Sequence, residues 1–142
     1  MLKRDEDMKI ELRYSLLFVS LDFAMAYFKR GQCYMMMNDF KRALYDFSGA
    51  ILNQSKNSAK QPKVDKAEGL STFYLHGGQC NYYLGQYEEA LAHYNIAIEK
   101  NDARSADTLG QIYYYKGLAH SSLQDYTAAI EAQNKAIANT TE

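Results

Sequence analysis

The side chains best suited to metal binding or nucleophilic chemistry are two cysteines and three histidines. They are Cys33, Cys80, His76, His93 and His120. A structural zinc site needs four such ligands, often introduced by a pair in Cys-x-x-Cys spacing, and that spacing does not occur here. The two cysteines are also too few for a disulfide framework. The sequence therefore predicts no metal site, and both cysteines are expected to be small core residues.

Two short patterns could belong to a catalytic site, but each is better explained by helix structure. The pair Gly77-Gly78 lacks the Gly-Lys-Ser/Thr ending of a phosphate-binding loop, and we expect it to lie within a helix. Glu88 and Glu89 are expected at a helix start, where carboxylates favour the helix dipole, so we interpret them as helix electrostatics rather than an acid–base pair. No nucleophile elbow is found. The sequence thus predicts no catalytic residue, no cofactor and no enzyme.

Length, charge and composition narrow the class of protein further. The chain has 142 residues, a net charge of −1 and one proline, which suits one helical domain and gives no clustered basic surface for nucleic acid. It has no apolar run long enough to span a bilayer, and its acidic start lacks the apolar stretch of a signal peptide. We therefore expect a protein of the cytoplasm or another reducing, non-secreted compartment, including cytoskeletal or ciliary assemblies. No nucleic-acid partner and no membrane insertion are expected.

Three segments of the chain repeat one pattern of small and aromatic residues. In each copy an aromatic residue follows a glycine by nine positions, and an alanine follows that aromatic by three. The aligned sets are Gly31, Phe40 and Ala43; Gly78, Tyr87 and Ala90; and Gly117, Tyr126 and Ala129. Steps of three and four keep residues on one face of a helix, so the pattern predicts paired helices. Each glycine costs about 1 kcal/mol of helix propensity relative to alanine, which favours a close helix crossing at all three sites.

The repeat resembles the tetratricopeptide repeat (TPR) family over roughly residues 24–139. The family's aromatic, glycine and alanine positions recur in helix pairs of about 34 residues. The copies here are longer, since successive glycines are 47 and 39 positions apart, and none ends in the family's proline. The resemblance implies an all-α, right-handed superhelical solenoid of three helix-turn-helix repeats, at about 24–53, 62–100 and 104–139. It also implies a role in protein–protein interaction.

The excess length predicts that the first helices of the repeats are lengthened at their starts. In the first copy we expect the first helix to end near Met37, and in the second and third copies to cover about 62–84 and 104–123. The second helices of the three copies are expected at 40–53, 87–100 and 126–139. Asp39 and Asp125 stand where helix N-caps belong. Residues 54–61 are expected to form a polar loop. With Lys63 and Lys66 this loop makes a basic edge that is either a solvated face or a docking patch.

Residues 1–23 precede the first repeat and are expected to form a helical extension continuous with it. Apolar residues step along this extension by four and three, in a heptad-like seam of Ile10, Tyr14, Leu17, Leu21, Ala24 and Phe28. Two interpretations remain open: the extended helix packs on its own repeats, or it docks a partner or a second copy. At the other end, Glu142 comes directly after the last repeat helix, and we expect the outer side of that helix to rest against a neighbour.

In the TPR family the first helices of the repeats line the concave side of the superhelix, and the resemblance carries these groove positions onto this sequence. The first copy supplies Met25, Phe28, Lys29, Gln32, Met35 and Met36. The second supplies Thr72, Leu75, His76, Gln79, Tyr82 and Tyr83, and the third supplies Gln111, Tyr114, Tyr115, Leu118 and Ser122. Such an aromatic, methionine-rich groove suits an extended or helical peptide. Any single Met or Tyr could instead pack the core.

The family's carboxylate clamp for chaperone tails is not matched. That clamp needs Lys, Asn and Arg at five groove positions, which here are Phe28, Gln32, His76, Gln111 and Tyr115. We therefore expect a scaffold or a small subunit of a larger multiprotein assembly, which binds a protein or peptide partner through the groove, the exposed terminal helices or both. The alternatives are a soluble adaptor for a short peptide and a structural homo-oligomer formed through the N-terminal helix.

Overall fold

The described part of the chain is helical throughout. The structure, a computed structural model, describes residues 2–58, 69–101 and 106–139, and the side chains of residues 2–3, 13–22 and 56–58 lie outside that description. Its helices are α1 (Leu2–Met36), α2 (Phe40–Ser58), α3 (Leu70–Tyr83), α4 (Tyr87–Glu99), α5 (Ala106–Ser122) and α6 (Tyr126–Asn139). The predicted all-α fold is confirmed.

The helices form three hairpins that follow one another in space in the order of the chain. In each hairpin two helices are joined by three residues, so α1 packs on α2, α3 on α4 and α5 on α6. The hairpins are stacked because α2 also packs on α3, and α4 on α5. This arrangement is the predicted solenoid of three helix-turn-helix units.

The three hairpin turns share one backbone conformation. The middle residue of each turn has a positive φ, at 59° for Asn38, 76° for Gly85 and 62° for Gln124. In the first and third turns the next residue is an aspartate that caps the following helix. The Asp39 carboxylate accepts a hydrogen bond from the backbone N–H of Arg42 at 3.2 Å, and Asp125 accepts one from Ala128 at 3.3 Å. Both predicted N-caps are confirmed.

The repeated glycines mark the closest approach of the two helices in each hairpin. A Cβ added at Gly31 would lie 2.8 Å from Cε1 of Phe47. One added at Gly78 would lie 2.8 Å from Cδ1 of Tyr94 and closer still to Cε1. These distances are shorter than van der Waals contact, so only glycine fits without a shift of the facing ring. The predicted close crossings are confirmed, and Gly117 faces Gln133 in the same way.

Two hydrophobic cores are shared between successive hairpins. The first joins Ala43, Phe47 and Ala50 of α2 to Phe73 and Cys80 of α3, with Phe28 of α1 beside them. The second joins Ala90, Tyr94 and Ala97 of α4 to Ile112 and Ala119 of α5, with Leu75 of α3. Each core therefore needs the second helix of one hairpin and the first helix of the next, which is how a solenoid is stabilised by its neighbours.

The extra residues between the first two repeats are placed differently from the prediction. Residues 54–58 were expected in a loop, but α2 continues to Ser58, and the side chain of Gln54 is buried. The next helix was expected from residue 62, but α3 begins at Leu70, after Gly69 in an extended conformation. The second copy therefore lacks the predicted lengthened first helix, because the added residues prolong the helix before it. Lys63 and Lys66 lie outside the described residues.

The first helix does show the predicted lengthening. With 35 residues, α1 is about 52 Å long, against about 28 Å for the 19-residue α2. Of the predicted seam, Ala24 and Phe28 are buried against the repeats, whereas Ile10 is half exposed. The side chains of Tyr14, Leu17 and Leu21 lie outside the described residues, and the boundary at residues 23 and 24 remains a prediction.

One cysteine differs from its predicted environment. Cys80 is buried as expected, and burial raises the pKa of its thiol to about 12. Cys33 occupies the same column of the repeat but is exposed, so its prediction as a core residue was wrong. The reason is positional: Cys80 faces the preceding α2, whereas α1 has no preceding hairpin in the described chain.

Candidate functional site

The first helices of the hairpins lie side by side and bring the predicted groove residues onto neighbouring elements. Phe28 of α1 contacts two rings of α3, with centroids 4.8 Å from Phe73 and 5.1 Å from His76. α3 in turn contacts α5. We call the surface formed by the predicted residues of α1, α3 and α5 the A-helix surface.

Three of the predicted groove residues are buried and cannot contact a partner as the chain stands. Phe28 belongs to the first core, where it packs between Phe47 and Phe73. Leu75 belongs to the second core, and Gln79 is also buried. The prediction that these three residues face a partner was wrong, because the neighbouring hairpin covers columns that the family resemblance assigns to the groove.

The other predicted residues are exposed or half-buried. The exposed ones are Lys29, Met36, Tyr83, Gln111, Tyr114 and Ser122. The half-buried ones are Met25, Gln32, Met35, Thr72, His76, Tyr82, Tyr115 and Leu118. The remaining A-helix surface is therefore accessible, uncharged except for Lys29, and dominated by tyrosine and methionine.

Tyrosines from α3 and α5 form one connected group, which we call the tyrosine cluster: Tyr82, Tyr83, Tyr114 and Tyr115. Tyr82 meets Tyr83 edge to face, with centroids 5.5 Å apart and planes at 79°. Tyr114 meets Tyr115 in the same manner at 5.2 Å and 78°. The two pairs are neighbours, because Tyr83 lies near enough to Tyr115 to raise its pKa. Edge-to-face pairing stabilises aromatic groups beyond their burial, so the cluster has a defined geometry.

The hydroxyl group of Tyr115 holds its proton more tightly than that of an ordinary tyrosine. Burial raises the pKa of Tyr115, and the nearby Tyr83 and Tyr114 raise it further. The outer members of the cluster remain open to solvent, since Tyr83 is 51 % and Tyr114 47 % exposed. The cluster thus presents two broad apolar rings with polar tips to a ligand.

Comparison with known families decides the class of protein. Two family models, both described as "Tetratricopeptide repeat", match residues 25–56 and residues 79–142, which together make up more than half of the chain. The chain belongs to the TPR family. No curated protein matches it. As a TPR protein it is a protein–protein interaction module, and its partners are proteins.

Two residues that contact the A-helix surface were not predicted from the sequence as site residues. Phe40, the first residue of α2, stacks on Tyr83 with centroids 4.8 Å apart and an interplanar angle of 21°. Tyr87, the first residue of α4, packs against Tyr82 at 5.5 Å. Both are the aromatic that follows the repeat glycine by nine positions, so the sequence showed them as repeat residues. Tyr87 meets the A-helix surface within its own hairpin, whereas Phe40 meets it on the next hairpin, and the residue types do not reveal either contact.

The A-helix surface around α1 combines methionines and a lysine of α1 with a histidine of α3. Met25 and Met35 pack against the first core, whereas Met36 is exposed. The His76 ring is 5.4 Å from Phe47, and its Nδ1 donates to the Thr72 carbonyl at 2.9 Å. Lys29 places its ammonium group 5.5 Å from the centre of the Phe28 ring. Because thioether side chains adapt to irregular apolar surfaces, this half is less specific in shape than the tyrosine cluster.

The described part of the chain offers neither a metal-binding cluster nor a membrane-spanning helix. Among the described residues, no group of three or more His, Cys, Asp or Glu side chains could hold a metal ion. Within the same ranges, no helix is both long enough and apolar enough to cross a membrane.

Proposed function

We propose that this TPR protein binds an extended, largely uncharged segment of a partner protein on the A-helix surface, as a scaffold or small subunit of a larger assembly. The observation that carries the proposal is the tyrosine cluster, with its half-exposed rings of Tyr83 and Tyr114. Tyrosine gives a large contact area at a low cost in side-chain entropy, and it hydrogen-bonds through its tip.

The packing of the cluster supports binding by a preorganised surface. Tyr83 is stacked on Phe40, paired edge to face with Tyr82 and close to Tyr115. A ring held on three sides loses little freedom when a ligand arrives, and less binding free energy is then spent on ordering it. We therefore expect Tyr83 to be the residue whose truncation weakens binding most.

The charge of the surface limits the kind of partner. Lys29 is the one charged residue of the predicted groove set, and the five clamp positions lack the cations that a terminal carboxylate requires. An acidic chain tail is therefore a poor ligand. An internal segment with apolar or aromatic side chains and free backbone amide groups fits the rings and hydroxyls better. Two cysteines without a disulfide favour a reducing compartment such as the cytoplasm.

A soluble adaptor that captures a short peptide is the second candidate, and it would use the same surface. The two differ in the size of the partner contact, because an assembly subunit buries more than one surface. Peptides from the partner that bind as tightly as the intact partner support the adaptor. A large loss of affinity on shortening the partner supports the assembly subunit.

The test combines partner identification with matched variants. Crosslinking followed by mass spectrometry on the endogenous protein would identify the bound segment, and a synthetic peptide of that segment would be titrated by calorimetry. We expect Tyr83→Ala to weaken binding at least about tenfold, which corresponds to about 1.4 kcal/mol. Tyr45→Ala is the matched control, since Tyr45 is an exposed tyrosine on α2 outside the A-helix surface. Equal affinities for wild type and Tyr83→Ala, with both folded, would contradict the proposal.

A further inference from the structure

The outer side of the last helix is apolar and exposed. Tyr126, Ile130 and Ile137 of α6 follow one another by four and seven positions, so they lie on one face of the helix. Their side chains are 61 %, 62 % and 61 % exposed. We call these three residues the back face of α6.

The same columns are covered in the other two hairpins. The equivalent residues are Phe40, Leu44 and Ile51 in α2, and Tyr87, Leu91 and Ile98 in α4, and all six are half-buried. Leu44 and Ile51 pack in the first core with residues of α3, and Leu91 and Ile98 pack in the second core with residues of α5. In both α2 and α4, the surface that corresponds to the back face is therefore covered by the first helix of the following hairpin.

The first helix carries the complementary surface, and it too is exposed. This surface consists of Phe23, Ala26 and Cys33 of α1 and Met37 of the turn. The repeat places them at the positions that correspond, in the same order, to Leu70, Phe73, Cys80 and Leu84 in the second hairpin and to Leu109, Ile112, Ala119 and Leu123 in the third. We call the first four residues the front face of α1. In α3 and α5 this face packs on the preceding helix, and Phe73, Cys80, Ile112 and Ala119 are fully buried. In α1 the four residues are exposed, with Phe23 at 55 %.

One charged residue lies in the middle of the front face of α1. Arg30 occupies the column of Gly77 and Lys116, and it donates two hydrogen bonds of 2.7 Å to the buried carboxylate of Asp46. The hydrogen bonds hold its guanidinium group beside its own hairpin. A basic side chain in this column is compatible with stacking, because Lys116 is half-buried where α5 packs on α4.

We propose that the back face of α6 in one copy of the chain binds the front face of α1 in a second copy, so that copies stack head to tail. The two faces are the two halves of an interface that the chain already forms between α2 and α3 and again between α4 and α5. A second copy is thus a partner whose surface repeats the residues that cover such a back face. Because the two faces differ, the contact is heterologous, and it builds open or closed rows of more than two copies. This interface borders the A-helix surface at one position, because Phe40 stacks on Tyr83 in the α2–α3 contact and Met36 is the equivalent of Tyr83 in α1.

The test measures the mass of the purified full chain by analytical ultracentrifugation. Wild type is expected to increase in mass with concentration between about 1 µM and 1 mM. A front variant, Phe23→Glu with Ala26→Glu, and a back variant, Tyr126→Glu with Ile130→Glu, should each associate at least about 100-fold more weakly, because a buried unpaired carboxylate opposes the contact. All four positions are exposed, so both variants should fold, which circular dichroism would verify. Tyr45→Glu, on neither face, is the control and should behave as wild type.

Mixing the two variants gives the sharpest result. Each variant retains one intact face, so the mixture should form a one-to-one dimer and nothing larger. A wild-type protein that stays monomeric up to about 1 mM would overturn the proposal. The two faces would then be binding surfaces for a different protein or for a further chain segment. Association of either variant alone, or no dimer in the mixture, would also overturn it.

Cys33 provides a second readout, because it lies on the front face. Alkylation of Cys33 by iodoacetamide should slow as the wild-type concentration rises, whereas in the back variant its rate should not depend on concentration. A wild-type rate that is independent of concentration would overturn the proposal. Tyr83→Ala should assemble as wild type does, so failure of the peptide-binding function and failure of the stacking can be told apart.

Discussion

Gly78 of α3 lies directly against the ring of Tyr94 in α4, so closely that a Cβ at position 78 would come within 2.8 Å of Cδ1. The same relationship holds between Gly31 and Phe47, sixteen residues apart in both cases. The hairpin turn fixes that separation, and the glycine allows the ring to lie across the helix backbone. The spacing of sixteen residues between glycine and ring in the sequence therefore corresponds to a contact in the core of the fold.

Enlarging residue 78 should disrupt this crossing. We expect Gly78→Leu to lower the free energy of unfolding by about 1–3 kcal/mol or more, because the Tyr94 ring is buried in the second core and has little room to move. Thermal unfolding followed by circular dichroism would measure the change. Ala92→Leu is the control, since Ala92 is exposed on α4 and should change stability little. A melting temperature of Gly78→Leu within about 2 °C of wild type would show that the helices do not cross closely there.

Tyr94 carries a second testable feature, its hydroxyl group. The hydroxyl oxygen is buried and has no hydrogen-bond partner among the described residues. Such a group loses its bonds to water on folding without replacement, at a cost of about 1–3 kcal/mol. We expect Tyr94→Phe to raise the free energy of unfolding by about 1 kcal/mol, because the ring and its contact with Gly78 remain. Urea unfolding would measure it, and a marked loss of stability would reveal a partner for the hydroxyl.

The same residue makes stability sensitive to alkali. Burial raises the pKa of Tyr94 well above its ordinary value near 10, so the folded chain holds the proton more tightly than the unfolded chain. The resulting stabilisation is complete below pH 10 and is lost as the pH rises further, by up to about 1.4 kcal/mol per pH unit. The advantage of Tyr94→Phe over wild type should therefore grow above pH 10. A constant difference from pH 8 to pH 11 would contradict this explanation.

Much of the fold could be predicted from the sequence because it depends on local spacing. The glycine crossings, the capping by Asp39 and Asp125, and the starts of the second helices at Phe40, Tyr87 and Tyr126 all follow from residues less than twenty positions apart. The start of α3 did not follow from them. The sequence predicted that this helix begins near residue 62, whereas α3 begins after Gly69.

The surface could be predicted less well, because exposure depends on what lies beside a column. Cys33 and Cys80 share one column, yet one is exposed and the other buried, since a hairpin precedes α3 and none precedes α1 in the described chain. Phe28 was predicted in the groove from its column, but α3 covers it. Residue type and spacing identify the repeat position of a side chain, whereas its exposure to a ligand depends on which helix packs against that position.

The turns provide a test of backbone strain. Gln124 has a φ of 62°, a region that costs a residue with a Cβ about 1 kcal/mol or more, whereas Gly85 occupies the equivalent position with φ 76°. We expect Gln124→Gly to raise the free energy of unfolding by about 0.5–1 kcal/mol. Gly85→Ala should lower it by about 1 kcal/mol, although no atom of the described residues beyond its chain neighbours lies within 4 Å of the added Cβ. A denaturant titration would measure both changes in the free energy of unfolding. Changes of opposite sign would attribute both effects to φ, and changes of the same sign would contradict this explanation.

The two cysteines should differ strongly in reactivity, although they share a repeat column. The thiolate is the reactive form, and burial raises the pKa of Cys80 to about 12, against about 8.5 for an ordinary thiol. At pH 8 Cys80 should therefore react with a disulfide reagent at least about 1000-fold more slowly than the exposed Cys33. Absorbance at low protein concentration, where copies do not stack, would follow the reaction, with Cys33→Ser and Cys80→Ser to assign each phase. Loss of the fast phase in Cys33→Ser, and its retention in Cys80→Ser, is the expected pattern. Two thiols reacting at one rate in the folded chain would show that α2 does not cover the front of α3, and the stacked arrangement of the hairpins would then be wrong.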